Sequence, residues 1–343
     1  DDVVFSGYQR DSYLVNAHVP RFGSGEAKGV IDESVRGMDL YILVDVCNYS
    51  LTYSMSGNTN HMSPDDHYQN LKRIIAAVGG KAKRINVIMP FLYESRQHKR
   101  SSRESLDCAL ALQELTHMGV DNIITFDAHD PRVQNAIPLS GFETVRPTYQ
   151  FVKGLLDRYD DLIIDSDHMM AISPDEGATE RAVYLANVLN LDMGMFYKRR
   201  DYTRVVNGRN PIVAHEFLGS SVEGKDVIIL DDMISSGDSI LDVAKQLKSR
   251  NAKRIFAAAT FGLFTNGLDK FDEAYESGLI DGVLTTNLIY QTPELLSRPY
   301  YINCDMSKYV ALMIDTLNHD GSISDILDPS ERIQVCVEEY KKA

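Results

Sequence analysis

Val227-Ile-Ile-Leu-Asp-Asp-Met-Ile-Ser-Ser-Gly-Asp-Ser239 joins a branched apolar run to two acids and then to a turn of small residues. The composition predicts a buried strand over Asp226 to Leu230, and the turn opens the helix-period pattern of Ser239 to Arg250. Backbone N–H groups at such a helix start cradle a phosphate, and the two acids are placed to bind ribose hydroxyls or a divalent cation. The plain alternative is an ordinary strand-to-helix turn with Ser239 as its N-cap. The paired Asp231 and Asp232 favour the sugar-phosphate reading, and Asp238 opposes it if its charge faces the turn.

Outward from this stretch, short β-branched runs alternate with helical periods, the order expected of parallel sheets covered by helices. The other strands are expected at Leu40 to Val46, Ile85 to Pro90, Asn122 to Phe126, Met169 to Ile172, Met193 to Phe196 and Arg254 to Thr260. Further helices are expected at Asp66 to Val78, Ser105 to Met118 and Thr179 to Leu189. The order strand, polar loop, helix, strand occurs at Ile85 to Phe126 and again at Asp226 to Thr260, which suggests tandem related domains. A chain of 343 residues suits two domains. The apolar pattern lapses over Pro138 to Thr148, so the expected domains are residues 1–143 and 144–343, the second ending in a helix or tail over Ile323 to Ala343. The polar stretch Asn48 to Asp66 has no clear period and is expected to be a surface insertion.

Composition removes several classes of function. The net charge of −14 argues against general affinity for nucleic acid or anionic membranes, so an anionic ligand needs a local basic cluster. No apolar run approaches the roughly 20 residues of a membrane span, and Asp1 to Tyr13 lacks a signal pattern, so a cytoplasmic protein is expected. Cys47, Cys108, Cys304 and Cys336 lack CxxC spacing and are expected to be reduced structural thiols.

Basic residues gather in two places. Arg96 and Gln97, followed by Lys99, Arg100 and Arg103, make one loop strongly basic; the arginine fork suits phosphate oxygens and Gln97 suits a base or ribose. Lys198 and Arg200 follow the strand Met193 to Phe196, at the carboxyl end where open α/β sheets place ligands. His129, two residues beyond Asp127, and Asp175, in a Ser-Pro-Asp turn, are candidates for a divalent metal. His168 is expected in a surface turn, and the methionines at 169, 170, 193 and 195 as core filler.

Asp231, Asp232, Ser236, Gly237 and Ser239 match the signature of the phosphoribosyltransferase fold group. The rest of the chain resembles the ribose-phosphate diphosphokinases. Arg21-Phe-Gly-Ser-Gly-Glu26 with Glu33-Ser-Val-Arg-Gly37, Pro90 to Arg100 with Arg103-Glu104, Phe126-Asp-Ala-His-Asp130, Ser173-Pro-Asp-Glu-Gly177, Lys198-Arg199-Arg200 and Asn318 to Ile323 follow that family's motifs in order. The resemblance implies an α/β fold of two tandem phosphoribosyltransferase-like domains, each with a mainly parallel sheet flanked by helices and with the active site at their junction. It implies transfer of the β,γ-diphosphoryl group of ATP to ribose 5-phosphate with Mg2+. Lys198 and Arg200 are then catalytic; Phe22, Ser24, Glu26, Arg96, Gln97 and His129 bind ATP; Asp231, Asp232, Ser235, Ser236, Gly237, Asp238 and Ser239 bind ribose 5-phosphate; His129 and Asp175 hold the metal. A homo-oligomer built from dimers, up to a hexamer, is implied, because Phe22 to Glu26 is expected to complete a neighbour's site.

Several positions depart from the family. Ser24 and Ser235 stand where it usually has Asp, Ala178 and Asp238 where it has Gly, and the loop after Gln97 is one residue shorter. These departures leave room for a non-catalytic, synthetase-associated regulatory relative. A base phosphoribosyltransferase would explain Asp231 to Ser239 but not the Arg96 loop, Asp127 to His129 or the tandem order.

Overall fold

The computed structural model describes residues 12–200 and 212–342, without the side chains of residues 198–200 and 212–215. The chain divides into two compact units. The first comprises Asp1–Met89, Tyr93–Ile124 and Arg132–Glu143; the second comprises Pro90–Leu92, Thr125–Pro131 and Thr144–Ala343.

The first unit opens with two short strands, β1 (Ala17–His18) and β2 (Val30–Ile31), paired antiparallel. A four-stranded sheet has the order β3 (Asp39–Leu43), β6 (Arg84–Ile88), β7 (Asn122–Phe126), β8 (Gly141–Val145), with β3, β6 and β7 parallel. Between β3 and β6 lie β4 (Thr52–Met55), β5 (Asn58–His61) and helix α1 (Pro64–Val78). Ser63 and Asp66 cap α1 reciprocally, Pro64 occupies its first turn, and Gly79 ends it in a left-handed conformation. Helix α2 (Asp107–His117) connects β6 to β7 and buries Cys108, Ala111, Leu112 and Leu115.

The stretch Asn48 to Asp66, expected to be a surface insertion without a clear period, is largely exposed over Thr52–His61 but forms a regular β-hairpin there. Thr52 pairs with His61 and Met55 with Asn58, around a turn at Ser56 and Gly57 whose φ values are 49° and 79°. Two positive φ values in succession match the twist of the flanking strands. Its strands are only four residues each; Thr52-Tyr-Ser-Met55 alternates over too short a run to stand out, and Asn58-Thr-Asn-His61 has no apolar residue at all.

The second unit runs α3 (Thr148–Arg158), β9 (Met169–Ser173), α4 (Thr179–Leu189), β10 (Asp192–Arg200), β11 (Ile212–Leu218), β12 (Asp226–Ile234), α5 (Asp238–Lys248), β13 (Ile255–Gly262), α6 (Asp269–Glu276), β14 (Gly282–Thr286), α7 (Pro293–Leu296), β15 (Tyr301–Cys304), α8 (Ser307–Asn318), α9 (Ser324–Leu327) and α10 (Ser330–Tyr340). Its seven-stranded sheet has the order β11-β10-β9-β12-β13-β14-β15 and is parallel except for β11. Alternate residues feed two cores: Ile228, Leu230, Phe256 and Ala258 join α3, α4 and α10, whereas Val227, Ile229, Ile255 and Ala257 join α5 and α6. Two buried faces explain why these strands read as continuous apolar runs. The chain's last stretch is helix α10, which buries Ile333 and Val337 in the first of these cores.

Four strands run past their expected ends, β9 by one residue to Ser173, β13 by two to Gly262, and two by four residues. β10 continues past Phe196 to Arg200, and β12 past Leu230 to Ile234, through both acids. In β12 the charged pair broke the apolar pattern, but partners from other segments hold it in the sheet. Cys47, Cys108, Cys304 and Cys336 are free thiols, and among the described residues no helix is long and apolar enough to cross a membrane.

Candidate active site

In the second unit, β12 delivers Asp231 and Asp232 to its carboxyl end beside β9, whose residue Ile172 pairs with Ile229. Loops following adjacent parallel strands share one edge of the sheet, the usual ligand edge of an open α/β sheet. The loop after β9 is tied by its own backbone: Asp175 Oδ1 accepts from Gly177 N at 2.9 Å and Ala178 N at 3.3 Å, and Ser173 Oγ donates to Asp175 O at 2.6 Å. Ala178 has φ −90°, a conformation open to any residue, so its methyl group is accommodated where the family usually has Gly.

The turn after β12 is closed by Gly237. Its φ is +82°, and a Cβ there would lie 2.4 Å from the Phe271 ring, so only glycine fits. Gly237, not Ser239, is the N-cap of α5; Ser239 falls inside the first helical turn. Asp238 begins that helix, and its carboxylate accepts from Ser236 Oγ at 3.0 Å and from Lys270 Nζ. The backbone of Ser235 is engaged by Thr265, whose N donates to Ser235 O at 3.0 Å.

The segment Thr125–Pro131 groups with this second unit. His129 Nδ1 lies 2.7 Å from Asp232 Oδ2. An ionised carboxylate only accepts, so Nδ1 is the protonated nitrogen of the ring. Asp127, the start of the expected metal and nucleotide motif, is otherwise engaged: its carboxylate accepts from Arg181 Nε and Thr260 Oγ1, both at 2.7 Å. Asp127 has φ 42°, a left-handed conformation that costs a non-glycine residue about 1–2 kcal/mol. Arg181 offsets that cost by also donating to Ala128 O at 3.2 Å and to Gly177 O at 3.4 Å, so one guanidinium ties the His129 loop to the Asp175 loop.

The acids of this site differ sharply. Burial and the adjacent charge of Asp232 push the Asp231 carboxyl well above the usual carboxylate range, with Asp175 adding to the repulsion. Burial acts in the same direction on Asp232, but the hydrogen bond from His129 and the Arg181 charge outweigh it and hold that carboxyl low. Among the described residues no group of three or more His, Cys, Asp or Glu forms a cage for a metal ion. Asp231 and Asp175 instead offer crowded carboxylate oxygens. Such a donor set fits Mg2+, whose shell is usually completed by substrate phosphates and water, and whose charge relieves the crowding.

The remaining expected residues belong to the first unit or to undescribed side chains. Phe22, Ser24 and Glu26 form a tight turn in which Phe22 N donates to Glu26 O at 2.7 Å and Ser24 Oγ to Glu26 Oε2 at 3.0 Å. Arg21 braces the turn by donating to Gly25 O at 3.0 Å and to Asp66 at 3.2 Å, with its guanidinium 4.1 Å from the Tyr53 ring centroid. Arg96, Lys99, Arg100 and Arg103 are exposed. Gln97 Nε2 donates to Glu104 Oε2 at 3.1 Å and to Ser105 O at 2.8 Å, which closes the loop upon itself. Hydrogen bonds from Gln97, Ser102 and Ser101 hold the Glu104 carboxyl down at about 2. Lys198 and Arg200 fall on the last residues of β10, and their side chains lie outside the described residues.

Arg181 and Lys270 escaped sequence reasoning. Arg181 sits on the third residue of α4, where an arginine reads as a solvated face; its partner Asp127 is 54 residues away. No spacing rule connects the two.

The family model described as the N-terminal domain of ribose phosphate pyrophosphokinase matches residues 9–119, and the phosphoribosyl transferase domain model matches residues 146–285. The ribose-phosphate pyrophosphokinase of Mycoplasma genitalium is 31% identical over 272 residues, covering 79% of this chain and 74% of the relative. That of Shewanella oneidensis is 30% identical over 315 residues, covering 91% and 90%. The crystal structure of phosphoribosylpyrophosphate synthetase from Mycobacterium smegmatis is similar in fold, with a TM-score of 0.74 over 92% of this chain and 94% of that one at 24% identity.

Proposed function

Because the chain belongs to the ribose-phosphate pyrophosphokinase family, we propose that it transfers the β,γ-diphosphoryl group of ATP to the 1-hydroxyl of ribose 5-phosphate, giving phosphoribosyl pyrophosphate and AMP. The 1-hydroxyl oxygen bonds to the β-phosphorus as the bond from that phosphorus to the α,β-bridging oxygen breaks. AMP departs with the bridging oxygen, and the hydroxyl proton is lost to solvent. The observation that best supports this reading is the meeting of Asp231, Asp232 and His129 at one sheet edge, with the Asp175 loop after the adjacent strand.

In this reading Asp231 and Asp232 accept from the ribose hydroxyls, and the turn 235–239 receives the 5-phosphate on its backbone N–H groups. The low-titrating Asp232 stays anionic and keeps His129 oriented, while Asp231, crowded and raised, is the acid that gains most from a hydroxyl or a cation. Mg2+ would be held by Asp175 and His129, with the crowded Asp231 carboxylate as a further oxygen donor, and when bound with ATP it neutralises triphosphate charge. Lys198 and Arg200 stabilise charge on the transferring group. Arg96, Gln97, Phe22, Ser24 and Glu26 bind ATP, so residues 1–143 carry the nucleotide-binding loops and residues 144–343 the sugar-phosphate loop. Phe22 to Glu26 would complete a neighbour's site in a homo-oligomer.

The test is AMP formation from ATP, ribose 5-phosphate and Mg2+. Lys198→Ala is expected to lower kcat by about a hundredfold to a thousandfold with ATP affinity little changed. Equal loss of both would remove Lys198 from the chemistry. Nucleotide binding with no turnover at any protein concentration would favour a regulatory relative.

A further inference from the structure

Asp238 brings a negative charge to the very turn that should receive a phosphate. The carboxylate is exposed and bridged: Ser236 Oγ donates to its Oδ2 at 3.0 Å, and Lys270 Nζ donates to its Oδ1. The lysine is there because α6 packs on the turn. Phe271 lies against the bare Cα of Gly237, and Lys270 is its neighbour in the chain. Lys245 stands in the same groove between α5 and α6 but is 3.5 Å from Asp242, and Glu273 adds a further negative charge there. Among the described residues, Lys270 is therefore the cation that contacts Asp238 directly.

We propose that Lys270 is a positioning residue for the sugar phosphate: it holds and neutralises Asp238, so that the turn accepts a phosphate that Asp238 alone would repel. The proposal rests on the reading of the turn 235–239 as the ribose 5-phosphate site. An uncompensated carboxylate at the start of α5 repels a dianion. Paired with Lys270, the same carboxylate keeps its bond from Ser236 Oγ, but its field is cancelled at short range. The pair restores electrostatically what a glycine at position 238 achieves by having no side chain.

The test is a double-mutant cycle in the full chain, reading the dissociation constant of ribose 5-phosphate by calorimetry, with inorganic phosphate as competitor and ATP affinity as control. Lys270→Met should weaken ribose 5-phosphate binding about threefold to fivefold, the scale of one exposed ion pair, and leave ATP binding unchanged. Asp238→Asn should tighten ribose 5-phosphate binding, and the double variant, with both charges gone, should return to about the parent's affinity. A double variant as weak as Lys270→Met alone would mean that the phosphate does not feel Asp238 and that Lys270 merely attracts it, and would overturn the proposal. So would an unchanged affinity, or a parent protein that does not bind ribose 5-phosphate. Absence of AMP formation in a parent that binds the sugar would instead overturn the proposed reaction, with the cycle still reading the pair.

Discussion

The chain contains two strand–loop–helix–strand segments of the same order, and they close their loops by opposite means. Between β6 and α2, residues 89–106 form a long polar loop fastened by hydrogen bonds from Gln97, Ser101 and Ser102 to Glu104. Between β12 and α5, residues 235–237 make a tight turn fixed by a left-handed glycine under an aromatic ring. Exposed hydrogen bonds contribute about 1 kcal/mol each and open readily, whereas a packed turn with a forbidden Cβ position has one conformation. In the proposed reaction the first suits a loop that closes over ATP, and the second a fixed cradle for a phosphate.

The largest expected effect falls on the rigid turn. Gly237→Val forces a branched side chain into the Phe271 ring at positive φ, and should cost about 3 kcal/mol in denaturant unfolding. A stability equal to the parent's would mean that the turn is not packed as described. In the long loop, Arg96→Ala should raise the KM for ATP about tenfold to a hundredfold, the worth of one charge-assisted phosphate contact, while leaving the unfolding midpoint in place. Loss of stability with unchanged KM would reverse the contrast between the two loops.

A smaller effect is expected at Asp231. Its carboxyl is raised in the folded chain, so its contribution favours folding below the unfolded value of about 3.9 and is lost as pH rises through the folded value. Asp231→Asn removes that loss: the variant should melt higher than the parent at neutral pH, with the difference disappearing toward pH 4, and should bind ribose 5-phosphate more weakly. A lower melting temperature at neutral pH would show that Asp231 is not strained by its neighbours. Least of all, Glu104→Ala should speed limited proteolysis within residues 97–105 without altering global unfolding.

Much of this architecture was legible in the residues. The limits of β7 and α4 follow from apolar period alone, and the repeated order at β6 and β12 follows from where those periods change. Helix α3 was equally legible, since Phe151, Val152, Leu155 and Leu156 form one buried face, but its start carries no side-chain cap and adjoins the lapse of pattern over Pro138 to Thr148. The β4–β5 hairpin carries its signal in Ser56-Gly57 and in the brief alternation of Thr52 to Met55. At the candidate site, local motifs showed which residues stand at strand ends, but not what they touch. The pairing of His129 with Asp232, of Arg181 with Asp127 and of Lys270 with Asp238 joins residues 103, 54 and 32 apart, through contacts that only the fold creates.

The most direct test of the proposed chemistry is 31P NMR of the protein with ATP, ribose 5-phosphate and Mg2+. Transfer of the β,γ-diphosphoryl group as a unit predicts AMP and phosphoribosyl pyrophosphate in equal amounts, with the two transferred phosphorus atoms still coupled to one another in the product. ADP, free inorganic phosphate, or ATP left intact in the presence of ribose 5-phosphate would contradict it.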